Sequence, residues 1–142
     1  MADARPVLLV VEDDIGLQKQ MRWSFDRYDL VFAADRDSAL TSLRRHEPAV
    51  VTLDLGLPPD PDGTSEGLAT LREIIALAPS TKVIVLTGQS DRGNALKAIA
   101  LGAYDFFAKP FEAEMLNTVV ERAFRLADLE RENGELRARH VA

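Results

Sequence analysis

Short apolar runs alternate along the chain with longer segments in which apolar residues recur at helical spacing. Runs of this length that are rich in β-branched or aromatic residues predict strands. The sequence contains five of them, at Val7–Val11, Leu30–Ala33, Val50–Leu53, Val83–Leu86 and Tyr104–Phe107. The first run shows no polar alternation, which is typical of a parallel strand buried on both faces.

Helical spacing follows each predicted strand. One face of the first predicted helix carries Leu17, Met21 and Phe25, and Asp14 is the predicted N-cap of that helix. Gly102 is the predicted C′ residue of the fourth helix. The predicted helices are Ile15–Phe25, Asp35–Arg45, a segment marked by Leu68 to Leu77, Asp91–Leu101, and a last helix from Phe111 almost to the end. This alternation predicts an α/β fold, a doubly wound parallel sheet of five strands with five helices, the last of them extended.

The composition fits one compact globular domain, with 142 residues of which 46% are apolar. The net charge of -6 predicts that the chain by itself binds no nucleic acid, because nucleic-acid binders present basic surface to phosphates. The absence of cysteine excludes disulfides and thiolate metal sites. No leader opens the chain and no apolar run approaches the roughly 20 residues that span a bilayer, so we expect a soluble, cytoplasmic protein without membrane contact.

Polar side chains that can carry chemistry lie just beyond four of the five strands. Glu12 and Asp13 follow the first strand, Asp54 the third, Thr87 the fourth, and Lys109 comes shortly after the fifth. Parallel strands bring their carboxyl ends to one edge of the sheet, where open α/β folds bind their ligands. We therefore expect these side chains to lie close together.

This combination of residues suits phosphoryl chemistry on a hard metal ion. Three neighbouring carboxylates repel one another unless a cation lies between them, and Mg²⁺ binds carboxylates together with phosphate oxygens. A lysine ammonium and a threonine hydroxyl both donate to phosphoryl oxygens. An aspartate that faces a metal-held phosphoryl group can attack it and form an acyl phosphate.

Two other reaction classes lack the residues they need. The chain has only two histidines, His46 and His140, and neither follows a strand, which argues against a Ser-His-Asp triad. Neither GxxxxGK[ST] nor GxGxxG is present, so nucleotide binding through a phosphate-cradling loop has no support.

Four segments together resemble the receiver domains of two-component response regulators. They are LLVVEDD at Leu8–Asp14, VTLDLGLP at Val51–Pro58, VIVLTG at Val83–Gly88 and GAYDFFAKPF at Gly102–Phe111. They occur in the family's order and spacing as far as the last helix. The resemblance implies a flavodoxin-like strand order of 2-1-3-4-5 and phosphorelay signalling, in which a sensor histidine kinase phosphorylates the domain and so controls a downstream, transcriptional output.

The resemblance also assigns roles to the polar residues at the sheet edge. Asp54 matches the phosphoacceptor. Glu12 and Asp13 match the acidic pair that holds Mg²⁺ together with Asp54, and the backbone carbonyl of Gly56 completes the protein ligands. The metal is therefore expected to be bound by one carbonyl and three carboxylates.

Two further residues match the family's conformational switch. Thr87 and Lys109 are expected to contact the phosphoryl group, and Phe106 matches the aromatic residue that turns inward when Thr87 moves. Because Phe106 has no hydroxyl, burial alone must drive its inward rotamer; as a lone aromatic in a short strand it is also compatible with a plain core role. The family resemblance further implies a cis peptide bond between Lys109 and Pro110.

The loop after Asp54 departs from the family's common LPxxDG form. Its run LPPDPDGTSEG is a few residues longer, and together with ALKAIALGAYDFF it is most similar to the receivers of sigma-54-dependent activators, in particular regulators linked to PEP-CTERM exopolysaccharide systems. That similarity implies that an AAA+ ATPase module and a DNA-binding module follow in a longer protein. Gly56 and Gln89 flank the site and are expected to tune the lifetime of the phosphoryl group.

The last helix extends beyond what a receiver needs. We divide the chain into a receiver domain, residues 1–125, and a helical linker, residues 126–142. Heptad spacing predicts a coiled coil that joins two copies, with Asn133 as a polar a residue that fixes register. A frayed linker is the alternative, because fewer than three heptads match. The heptad residues are Val119, Leu126, Asn133 and His140 at a, with Leu129 and Leu136 at d.

Two other functions stay open at this point. A pseudo-receiver would bind partners without being phosphorylated, although the full set of polar residues argues against it. A phosphatase with an aspartyl nucleophile would be an enzyme on a related sheet, but such enzymes usually need a second acid two residues after the nucleophile, and that position is Gly56. We therefore expect a regulator and not an enzyme.

Overall fold

The chain alternates strands and helices from one end to the other. The computed structural model describes residues 5–59, 63–88 and 92–141, without the side chains of 92 and 136–141. Its strands are β1 (Val7–Val11), β2 (Asp29–Ala33), β3 (Val50–Asp54), β4 (Lys82–Gly88) and β5 (Asp105–Lys109). Its helices are α1 (Ile15–Ser24), α2 (Arg36–His46), α3 (Ser65–Leu77), α4 (Arg92–Leu101) and α5 (Ala113–Val141).

The strands form one parallel sheet in the order β2-β1-β3-β4-β5, which confirms the predicted fold. Successive strand residues point to opposite faces, so each strand contributes to two cores. Leu8 and Val10 of β1 pack with residues of α1 and α5 on one face. Leu9 and Val11 pack with residues of α2, α3 and α4 on the other. Helices therefore cover both faces of the sheet, which leaves the ends of the strands as the places where a ligand can bind.

Local signals in the sequence account for several helix ends. The Asp14 side chain accepts hydrogen bonds from the N–H groups of Gly16 and Leu17, as the predicted N-cap of α1. Asp35 forms a capping box with Ser38 at the start of α2, and these hydrogen bonds lower the pKa of Asp35. Gly102 ends α4 with a φ of 115°, a left-handed conformation that favours glycine.

Several element bounds differ from the sequence prediction. β4 and β5 run on to Gly88 and Lys109, and Tyr104 precedes β5 instead of opening it. The ladder between β4 and β5 explains the extension, because it continues through polar positions that end the apolar runs. The loop between Pro110 and Ala113 also delays the start of the last helix. The predicted start of α4 at Asp91 lies outside the described residues.

The last helix, α5, crosses the predicted domain boundary at residue 125 without a break. Val119, the first predicted a residue of the heptads, is partly buried against the core on the α1 side of the sheet. It therefore packs within the predicted receiver domain. Leu129 is 56% exposed, further along the helix. Among the residues the structure describes, no helix has the length and apolar character required to cross a membrane.

Candidate functional site

The register of the sheet brings the predicted site residues to one edge. Asp54 is the last residue of β3 and pairs with Leu86 of β4. On the next strand pair, Thr87 lies beside Ala108 and Gly88 lies beside Lys109. These residues stand at or near the carboxyl ends of their strands, which is where this class of sheet forms its sites.

Glu12, Asp13 and Asp54 form a compact carboxylate cluster. One carboxylate oxygen from each residue lies within 4.8 Å of the other two. Glu12 is fully buried, Asp54 is buried, and Asp13 is half-buried at the rim. The sequence prediction that these three side chains meet is therefore confirmed in position.

Lys109 reaches across this cluster from β5. Its Nζ lies 3.0 Å from Oε1 of Glu12 and 3.2 Å from Oδ2 of Asp54, so one ammonium group bridges two acids. Burial disfavours the charged lysine, but the carboxylates of Asp54 and Glu12 outweigh it and raise the pKa of Lys109. The lysine is thus held charged and aimed at the phosphoacceptor candidate.

Glu12 is fully buried and is held through both its side chain and its backbone. Burial, and then the charge of Asp54, raise the pKa of Glu12 from its ordinary 4.5 to about 7 in the absence of a metal. The Asp14 N–H donates to Oε2 of Glu12 at 3.2 Å. The Gln18 amide donates to the backbone carbonyl of Glu12 at 2.5 Å. The sequence analysis missed Gln18, whose only signal is its position one turn into α1.

We predict that the metal-free protein loses stability as the pH rises from about 4.5 through about 7, because its folded state favours protonated Glu12. Over this pH range the free energy of unfolding should fall by up to about 3 kcal/mol. Urea unfolding in EDTA should show this loss in wild type relative to Glu12→Gln, whose side chain does not titrate. Parallel pH profiles for the two proteins would contradict the prediction.

The chain turns tightly directly after Asp54. The Gly56 N–H donates to Oδ1 of Asp54 at 3.1 Å, and the Leu57 N–H donates to the Leu55 carbonyl at 3.1 Å. This turn places Gly56 immediately beside the carboxylate cluster. It is consistent with the metal-binding carbonyl that the resemblance assigns to Gly56.

Thr87 and Phe106 lie on the same face of the sheet. Phe106 pairs with Val85, and Thr87 is two residues beyond Val85 on β4, so all three side chains point to one side. Thr87 is buried, while Phe106 is only partly buried and packs against the core beneath α2, α3 and α4. The peptide bond between Lys109 and Pro110 is cis, as expected, and so is the one between Pro58 and Pro59.

The donor set fits a hard divalent cation such as Mg²⁺. Mg²⁺ prefers oxygen ligands and binds through carboxylates with the remaining positions left for water and phosphate. The cluster offers three carboxylates at the carboxyl ends of the strands, and after burial the negative charge of Asp54 is the next largest cause of the raised pKa of Glu12, so these acids repel one another in the absence of a metal. A bound cation would relieve that repulsion. Gln89, the other flanking position named above, lies outside the described residues.

Comparisons with known proteins agree with this geometry. The sequence profile described as "Response regulator receiver domain" matches residues 8–121. The C4-dicarboxylate transport transcriptional regulatory protein DctD of Rhizobium meliloti is 35% identical over 136 residues, which are 94% of this chain and 28% of DctD. Chemotaxis protein CheY of Listeria monocytogenes is 30% identical, over 82% of this chain and 96% of CheY.

Solved structures show the same likeness. NtrX from Brucella abortus in complex with ADP superposes with a TM-score of 0.86 at 34% identity, over 97% of this chain and 30% of that one. The separate receiver domain of the same NtrX superposes at 0.76 over 98% of its length. This chain therefore spans under a third of DctD and of the NtrX chain in the ADP complex, but nearly all of CheY and of the separate NtrX receiver domain. The matched profile, the relatives and the shared sheet edge together place this chain in the response regulator receiver domain family.

Proposed function

We propose that this chain is the phosphoacceptor module of a two-component response regulator, with Asp54 as the residue that takes the phosphoryl group from a sensor histidine kinase. The observation that carries the proposal is the contact of Lys109 with both Asp54 and Glu12 inside the carboxylate cluster. A candidate nucleophile, a cationic donor and three carboxylates that could hold a metal ion lie together there at the carboxyl ends of the strands. That combination is what phosphoryl transfer requires.

In this mechanism a carboxylate oxygen of Asp54 attacks phosphorus while the bond to the donor's nitrogen breaks, so that an acyl phosphate forms. Glu12, Asp13 and Asp54, with the Gly56 carbonyl, would hold Mg²⁺, which supplies charge neutralisation for the phosphoryl oxygens. The Lys109 ammonium then exchanges a carboxylate partner for a phosphoryl oxygen. Most of the catalysis is positioning and electrostatic stabilisation.

The response to phosphorylation would pass through Thr87 and Phe106. A phosphoryl group on Asp54 offers new acceptor oxygens to the Thr87 hydroxyl. Thr87 would move toward them and leave space on the face it shares with Phe106, which is only partly buried and so has apolar area left to bury. Phosphorylation would then shift a population between two arrangements of the surface formed by α4, β5 and α5.

The output of this switch would be transcriptional. DctD is named as a transcriptional regulatory protein, and the present chain covers 28% of it. We propose that nucleic acid is bound by a downstream module and not by this acidic receiver, that the partner kinase meets it in the cytoplasm, and that the receiver makes no membrane contact. The narrower assignment to PEP-CTERM-linked regulators stays a prediction from the loop sequence.

We further propose that residues 126–142 form a linker helix that pairs with a second copy. Leu126 is partly buried, Leu129 is exposed, and Asn133 follows at heptad spacing on the same unbroken helix. Light scattering should give a dimer for wild type, a monomer for Leu129→Glu, and a dimer for the control Arg131→Glu, which lies off the a and d positions. A monomeric wild type at high concentration would contradict the pairing.

The experiment that tests the proposed function is intact-protein mass after incubation with acetyl phosphate and Mg²⁺. We expect one added phosphoryl group, which EDTA prevents. No adduct, together with no binding of beryllofluoride, would indicate a pseudo-receiver. Sustained hydrolysis of phosphate esters would indicate a phosphatase. Either of these results would overturn the proposal.

A further inference from the structure

A glycine in the first turn of α3 lies directly against the backbone of Leu55. A Cβ placed on Gly67 would overlap the Cα and the carbonyl oxygen of Leu55 and would lie 2.6 Å from its carbonyl carbon. No real Cβ makes such contacts, and the atoms in the way are backbone, so no side-chain rotation could relieve them. Every side chain larger than glycine therefore forces α3 and Leu55 apart.

Leu55 is the residue between Asp54 and Gly56, and it is fixed on its other sides. Its N–H donates to the Leu86 carbonyl at 3.2 Å, which extends the pairing of β3 with β4. Its carbonyl accepts the Leu57 N–H. The side chains of Leu55 and Leu57 are both buried in the core beneath α3. A displacement of Leu55 therefore moves Asp54 and Gly56 with it.

The start of α3 depends on packing more than on capping. Thr64 stands at the N-cap but its side chain makes no capping hydrogen bond. The first turn is held instead by the contact of Gly67 with Leu55, by burial of Leu68, and by an ion pair between Glu66 and Arg36 of α2 at 3.0 Å. Among these contacts, the close approach at Gly67 is the one made to the backbone of the turn that follows Asp54.

We propose that Gly67 is a positioning residue for the metal and phosphoacceptor site. Because glycine has no side chain, α3 packs directly against Leu55. This contact holds the Asp54 carboxylate and the Gly56 carbonyl in position relative to Glu12 and Asp13. The inference rests on the proposed function for the identity of the ligand, Mg²⁺. Its structural half, that Gly67 sets the path of the turn from Asp54 to Leu57, stands without it.

The test compares Gly67→Ala with Gly134→Ala, a control in which the same change in a helix meets no atom within 4 Å. Calorimetric titration with Mg²⁺ should show binding weakened at least about 10-fold in Gly67→Ala and unchanged in the control. Amide NMR of the metal-free proteins should show shifted Gly56 and Leu57 signals in Gly67→Ala only. Far-UV circular dichroism should be the same for all three proteins.

Three results would overturn the inference. They are wild-type Mg²⁺ affinity in folded Gly67→Ala, unmoved Gly56 and Leu57 amides, or a Gly67→Ala protein that stays unfolded even in the Gly134→Ala background, where the added alanine favours the helix. The last would make Gly67 a requirement of the fold and not of the site. Failure of wild type itself to bind Mg²⁺ would instead contradict the proposed function, while the amide signals would still decide the role of Gly67.

Discussion

Replacing Asp54 with asparagine abolishes the phosphoryl adduct that we expect wild type to form with acetyl phosphate and Mg²⁺. Asparagine keeps the shape of the side chain but is not a nucleophile toward phosphorus, so no acyl phosphate can form. Asp54 is buried, and its Oδ2 lies 3.2 Å from Nζ of Lys109; among the described residues, Glu12 is the one other carboxylate that forms an ion pair with Lys109. Intact mass measured on both proteins gives the result directly.

Asp14→Asn is the matched control for that experiment. Asp14 stands at the same sheet edge but caps α1, and asparagine caps a helix equally well, so its adduct should equal that of wild type. Hydroxylamine should remove the wild-type phosphoryl group, because it cleaves acyl phosphates and leaves threonine esters such as one on Thr87 intact. A full adduct on Asp54→Asn would assign the acceptor to another residue.

Much of the fold was predictable because each strand and helix carries its own local signals. The buried run Val7–Val11 and the cap at Asp14 lie side by side in the sequence, and both form as predicted. Gly102 likewise marks the end of α4 by itself. The rule that parallel strands share one polarity then brings Glu12 and Asp54 together without any knowledge of distances.

The strand ends near the site were less predictable, for a physical reason. Each of these apolar runs ends where the polar site residues begin, but hydrogen bonding to the neighbouring strand continues for one or more residues beyond that point. Thr87 and Lys109 therefore lie inside β4 and β5 and not after them. Membership in a strand fixes the backbone of both residues, which gives their polar side chains a defined direction.

The sequence predicts that the site residues lie close together, but it does not predict which individual contacts join the distant segments. Lys109 bonds to Glu12 across 97 positions, and nothing in either segment says that one ammonium group will serve two acids. The close approach of Gly67 to Leu55 could not be predicted either. A single glycine inside a helical pattern indicates only a small loss of helix stability. Such contacts follow from packing of the whole sheet.

Lys109→Met should have opposite effects on metal binding and on phosphorylation. In the metal-free protein the ammonium group neutralises Glu12 and Asp54, so it competes with Mg²⁺ for them. Its removal should tighten Mg²⁺ binding by about 10-fold, a change of about 1.4 kcal/mol that one partly screened charge can supply. The same removal takes away the cation that stabilises the transferring phosphoryl group, so phosphorylation by acetyl phosphate should slow by about 100-fold.

Lys82→Met is the control for this pair of measurements, because Lys82 opens β4 at the opposite end of the sheet and pairs with Glu130 instead. Its Mg²⁺ affinity and its phosphorylation rate should both match wild type. Two opposite effects in one variant separate charge competition from unfolding, since a damaged fold would weaken metal binding and phosphorylation together. Weaker Mg²⁺ binding in folded Lys109→Met would mean that the lysine organises the carboxylates for the metal, and an unchanged rate would remove it from phosphoryl transfer.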